Sequence, residues 1–250
     1  MDGTTLWALS ALAAFIVGLG KGGVPVITAT AVPLLSLGMS PVAAAGLLLP
    51  VFVVADMFGL YAYRRNYHAK VLKIMLVALP IGTLIGYLTA ASIPDAGITI
   101  VIGLIGAIFA LTIILRKPVE DMKREARTLP GLFWGTISGF TSFVSHSGAT
   151  PFQVYALPLG MDKLTFAGTM VIAFAYINVI KLVPYYALGQ LSWESVQTAM
   201  MLLVPTVLGV VTGVQIVRWV PQKLFFRVIV WGLLILSVRL LWQGGSALLA

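Results

Sequence analysis

Apolar residues run through most of this chain with few interruptions, and the polar positions gather into short clusters. The first run, Leu6 to Leu19, breaks at Gly20-Lys21-Gly22-Gly23-Val24-Pro25 and resumes to Leu37. A turn at Gly38-Met39-Ser40-Pro41 precedes runs at 42–63, 71–91 and 97–115. The segment Arg116–Thr128 is the one strongly charged stretch and reads as a central loop. Beyond it, Leu129 to Val144 is apolar until Ser145-His146-Ser147-Gly148-Ala149-Thr150-Pro151, and the run resumes to Leu159. After Gly160-Met161-Asp162-Lys163 come runs at 164–188, 195–217 and 224–243. A bilayer crossing takes about 20 apolar residues, so the pattern predicts six full spans and two broken segments. Strands of a β-barrel would alternate polar and apolar positions. These runs are apolar on every side, as in helices that satisfy their own backbone hydrogen bonds in lipid.

Composition makes the membrane class firm. Of 250 residues, 60% are apolar and 10% charged, with a mean hydropathy of +1.02; soluble domains carry about 25% charged residues. The net charge of +8 is no nucleic-acid signature, because the basic residues sit in short loops between apolar runs without an aromatic-basic stripe. No cysteine is present, which removes disulfides, zinc thiolates and thiol nucleophiles. The first residues, Met1 to Gly18, have no positive leader region and read as a retained membrane segment.

The two halves of the chain match. Leu35-Ser-Leu-Gly-Met-Ser40 recurs as Leu157-Pro-Leu-Gly-Met-Asp162, an offset of 122 that also aligns Gly46 with Gly168, Asp56 with Asn178 and Tyr63 with Tyr185. Pro80 then pairs with Pro205, and Pro94 with Pro221. An ordered series of matches points to duplication. The expected domains are a first transmembrane repeat at 1–115, a charged cytoplasmic loop at 116–128 and a second repeat at 129–250. Of the 16 basic residues, 13 lie in or beside the connections around Arg64–Lys73, Arg116–Arg127, Lys163 and Arg218–Arg227, whereas the connections at 38–41, 92–97 and 189–194 hold none. Positive loops stay cytoplasmic, which places both termini outside and makes the repeats inverted copies if each broken segment returns to its own side, as a re-entrant hairpin or as two short crossings. The expected fold is therefore an all-α integral membrane protein of two inverted-topology repeats, each a Gly/Pro-broken helical segment plus three transmembrane helices. That plan is a signature of secondary transporters.

The breaks hold the candidate chemistry. Proline suits a first helical turn, and the unpaired N–H groups there attract anions. Two such ends, with Gly22, Gly23, Ser147, Gly148 and Ala149 as donors and Val24 and Pro25 shaping the first turn, would clamp one small anion. Lys21 would add a positive charge, and Ser145, His146, Ser147, Thr150 and Gln153 would replace the anion's hydration shell. A lysine snorkelling to the surface and glycine kinks that only let helices pack are the structural alternatives. Asp56, Asn178 and Lys181 lie on the second spans, where an intramembrane acid usually has a partner or a function. Asp56 would pair with Lys21 or Lys181, or carry a proton; His146 is the other candidate for proton coupling. An enzyme is not expected: Ser145-His146-Ser147 lacks an orienting acid in sequence. With His68 and His146 the only histidines, no metal site and no cofactor is expected. Nor is a nucleotide fingerprint present.

The motif Gly18-Leu-Gly-Lys-Gly-Gly-Val-Pro25, the Leu-Gly-Met turns at 37–39 and 159–161, and the duplication resemble the sulfite exporter TauE/SafE family from about Leu6 to Trp242. The resemblance implies an inner-membrane permease moving sulfite, a sulfonate or a related sulfur compound. It carries the role of permeation motif to Lys21, Gly22, Gly23 and Pro25, and to Ser147, Gly148 and Pro151 in the looser second copy. The expected partners are a small anionic solute and the bilayer, without nucleic acid; a homo-oligomer is left open. Export by alternating access is the expected function, with proton-coupled uptake of an organic or sulfur-containing anion as the alternative.

Overall fold

The computed structural model describes residues 3–28, 30–39, 41–89, 95–116, 119–189, 191 and 193–249. Ser40, Pro94 and Lys117 lie outside the described residues, as does the side chain of Ser145. The described chain is helical, without strands. In order come α1 (Gly3–Lys21), α2 (Pro25–Thr28), α3 (Ala31–Leu35), α4 (Pro41–Tyr63), α5 (Ala69–Thr89) and α6 (Asp95–Arg116), then α7 (Thr128–Ser145), α8 (Ala149–Ala156), α9 (Lys163–Ala187), α10 (Trp193–Met201), α11 (Leu203–Trp219) and α12 (Gln222–Leu249). Among the described residues, five helices are long and apolar enough to cross a membrane, or six when α10 and α11 count as one bent span. One of the five is α1, the first arm of the first broken segment. Trp7, Trp193, Trp219 and Trp242 stand exposed toward helix ends, where an aromatic belt meets the headgroups.

The run at 195–217 was expected as one span, but it bends by 60° between Met201 and Leu203. Pro205 explains the bend. It lacks the N–H that would reach the Met201 carbonyl, and its ring crowds that carbonyl. A different device ends the turn before α9: Asp162 Oδ1 accepts the N–H groups of Leu164 and Thr165, each at 3.0 Å, as a helix N-cap.

The chain forms two compact units that interleave the halves of the sequence: unit one is 1–67 with 167–220, and unit two is 68–166 with 221–250. Each unit is held by a close parallel helix pair. In unit one, Gly18 and Gly22 of α1 meet Gly209 and Gly213 of α11, and a Cβ at any of the four would strike backbone of the facing helix. In unit two, Gly82 of α5 faces the Thr136 carbonyl and Gly139 of α7 faces the Leu79 carbonyl. Thr83 Oγ1 donates to the Gly139 carbonyl across that seam at 3.3 Å. Lipid tails supply no hydrophobic drive between helices, so association rests on backbone closeness of this kind and on interhelical hydrogen bonds. Elsewhere in unit two, α6 and α12 run antiparallel, with Gly103 beside Ser237 and Leu241 and Gly106 beside Ser237. Phe166 packs there against Phe152, Phe225 and Phe226.

Candidate functional site: buried charges at the first helix break

The first break is the end of α1, not the start of an anion-binding helix. The N–H of Gly23 donates to the Gly20 carbonyl at 3.1 Å and that of Val24 to the Leu19 carbonyl at 3.3 Å. That pattern is a Schellman cap, with a left-handed residue closing the helix. Gly23 takes this position at φ 109, in a space where a Cβ would meet the Tyr63 hydroxyl, Val217 and Ala167. The N–H of Gly22 is also used, by the Gly18 carbonyl at 2.7 Å. The expected clamp of free peptide N–H groups at Gly22 and Gly23 is thus corrected: those donors already serve α1. The helix that Pro25 opens, α2, has only four residues, a single turn.

What the cap does position is Lys21. Tyr63, the last residue of α4, donates its hydroxyl to the Gly22 carbonyl at 2.7 Å and pins the break to that helix. Gly59 of α4 leaves room for the Lys21 carbonyl. From this level the Lys21 side chain runs back along α1, as helical side chains lean toward their N-terminus. Its ammonium lies 2.7 Å from Asp56 Oδ1 and 5.3 Å from the centre of the Phe52 ring. The other carboxylate oxygen, Oδ2, accepts from Asn178 Nδ2 at 2.7 Å. Asp56 and Asn178, matched by sequence offset, are therefore bonded to each other in space. Lys181 lies one turn beyond Asn178 on α9, on the same face, and is 1% exposed.

Lys21 and Asp56 are also buried, at 7% and 2% exposure. Among the described residues, unit one thus holds two lysines and one carboxylate within its helical interior. A charged residue at membrane depth costs about 2.5–3.5 kcal/mol on insertion scales. Pairing offsets that cost for Lys21 and Asp56.

The second break, in unit two, caps α7 through His146, whose φ is 52; a non-glycine residue there is uncommon. The Ser147 N–H donates to the Thr141 carbonyl at 3.2 Å, so it too is not a free donor. Ser138 Oγ donates to the Gly148 carbonyl at 2.6 Å and holds the start of α8, at Ala149, against α7. Thr150 Oγ1 and Gln153 Oε1 are buried on one face of α8 without hydrogen-bond partners. Ser237 Oγ of α12 is likewise buried and unpaired, and it and the Thr150 methyl both crowd Gly106. Leaving such a group unsatisfied costs about 1–3 kcal/mol, which a water or a polar solute would recover. Ser237 is a lone serine in an apolar run, and no pattern around it marks it as a site residue.

Long apolar helices with exposed apolar side chains and buried charged ones define a multi-pass membrane protein. The family model described as "Sulfite exporter TauE/SafE" matches residues 6–240, nearly the whole chain. The chain belongs to that family. Membership points to a membrane transporter of sulfite or related sulfur anions, a family of transporters and not of enzymes. No curated protein and no solved structure matches the chain significantly.

Proposed function

We propose that this protein exports a small sulfur oxyanion, sulfite or an organosulfonate, across the inner membrane by alternating access between two inverted repeats. The observation that carries the reading is the buried cluster Lys21, Asp56, Asn178 and Lys181, which sets two lysines against one carboxylate. An interior with that balance attracts an anion and repels cations. The unsatisfied oxygens of Thr150, Gln153 and Ser237 supply a second polar surface, with Ser147 and His146 at the break beside them.

Two features support the repeat reading. The first interrupted helix, α1, lies parallel to the span that carries Pro205, and the second, α7, lies parallel to the span that carries Pro80. Those two prolines are the matched pair of the sequence repeat, so each broken segment pairs with the corresponding span of the other half. Such an exchange is what a twofold relation between the halves produces. The basic loops would then be cytoplasmic, with both termini outside.

An interior-negative potential drives an anion outward by about 2.3 kcal/mol per charge per 100 mV, so export needs no ion gradient. One oxygen of Asp56 lies in the ion pair with Lys21 and the other accepts from Asn178, which favours a fixed carboxylate over a proton carrier. Efflux from sulfite-loaded proteoliposomes tests the reading. It should accelerate when a potassium–valinomycin potential makes the lumen negative, and should persist when the pH gradient is collapsed. Flux lost on collapsing the pH gradient at fixed potential would favour proton-coupled uptake through Asp56 or His146. No flux of sulfite or of sulfonates would overturn the reading.

A further inference from the structure

A cavity of about 460 Å³ lies in unit two, bounded by the loop before α7, the first turns of α7, and the end of α8 with the turn that follows it. Its size is that of a small-molecule site, which typically spans about 300–1,000 Å³. The walls are stitched together by hydrogen bonds. The Arg124 N–H donates to the Pro158 carbonyl at 3.0 Å, and the Tyr155 hydroxyl donates to the Arg127 carbonyl at 3.1 Å. Gly131 permits the second bond, since a Cβ there would stand 2.8 Å from the Tyr155 hydroxyl.

The lining divides by chemistry. Arg124, Arg127 and Glu125 supply two guanidinium groups against one carboxylate, and Trp134, Tyr155 and Val154 supply apolar and aromatic surface. A guanidinium fork matches a carboxylate or sulfonate head in bidentate fashion. The net single positive charge of the lining matches a monoanion. An inorganic sulfite ion would leave the aromatic wall to water, whereas an organic tail would cover it. We propose that this cavity binds a small organic monoanion, its sulfonate or carboxylate head on Arg124 and Arg127 and its apolar tail against Trp134 and Tyr155. Its lining shares no residue with the Lys21–Asp56 cluster, and the inference stands whether or not that cluster carries a transported solute.

Calorimetric titration of the full chain in detergent with benzenesulfonate, benzoate and uncharged benzyl alcohol tests it. Both anions are expected to bind, and the alcohol is not. Arg124→Gln and Arg127→Gln should each weaken the anions by about tenfold or more, while Arg64→Gln, at an exposed arginine outside the lining, leaves them unchanged. Arg124→Lys, which keeps the charge and loses the fork, should fall between Arg124→Gln and the parent and serves where a glutamine variant fails to fold. Absence of binding at about 10 mM anion, equal binding of the alcohol, or anion affinity unmoved by both glutamine variants would overturn the proposal. An equal loss in Arg64→Gln would assign the effect to general surface charge and overturn it as well.

Discussion

Lys21→Met is expected to lower sulfite efflux from proteoliposomes by about a hundredfold, and Asp56→Asn added to it is expected to restore a large part of that loss. The reason is charge counting. With both lysines protonated, as the proposed function requires, the parent cluster carries two ammonium groups and one carboxylate, with the Lys21 ammonium 2.7 Å from Asp56. Removing Lys21 leaves Asp56 against Lys181, a neutral site that no longer attracts an anion. Removing the carboxylate as well returns the balance to one positive charge. A hundredfold loss corresponds to about 2.7 kcal/mol, within what a desolvated charge supplies to an anion. Lys181→Met should mimic Lys21→Met, because it neutralises the cluster from the other side. Unchanged efflux in Lys21→Met would remove this lysine from the mechanism. A double variant as inactive as the single would mean that the position of the Lys21 ammonium matters, and the charge balance does not.

Asp56→Asn alone is expected to act on stability. It leaves two buried ammonium groups without a counter-charge, and breaking a buried pair by removing one partner typically costs about 3–5 kcal/mol. Thermal or denaturant unfolding in detergent should therefore show a marked loss of stability. The double variant with Lys21→Met should recover most of it, because a buried pair replaced on both sides is close to neutral. Asn178 bonds the same carboxylate at 2.7 Å, but it is uncharged, and Asn178→Ala should cost less than Asp56→Asn. A loss below about 1 kcal/mol for Asp56→Asn would place the pair in the class of solvent-screened bridges.

The membrane class, the helical content and both helix breaks were legible in the sequence because apolar run length and Gly/Pro placement are local signals. The pairing of helices was not. Spans that are apolar on every face carry no stripe to say which neighbour they meet. The i, i+4 glycines Gly18/Gly22 and Gly209/Gly213 meet only in the structure, which packs them together. The first break differs from its expected role for a specific reason. Gly23 with Pro25 two residues later is the signature of a helix end as well as of a helix start. The N–H groups assigned to the solute close α1 instead. Asp56 and Asn178 were matched by offset, but an offset does not say that equivalent residues touch. The Asp56–Asn178 bond and the Lys21–Asp56 pair needed coordinates, whereas the presence of isolated charges in apolar runs already marked these residues.

Selenite offers the most direct test of the central claim, because it mimics the shape and charge of sulfite and scatters anomalously. The chain contains no cysteine, so no protein thiol reduces it during a soak. The account predicts an anomalous peak in unit one within hydrogen-bond reach of the Lys21 or Lys181 ammonium, lost in Lys21→Met. Crystals that hold selenite only at surface arginines and lysines, with the buried cluster bare at saturating concentration, would contradict it.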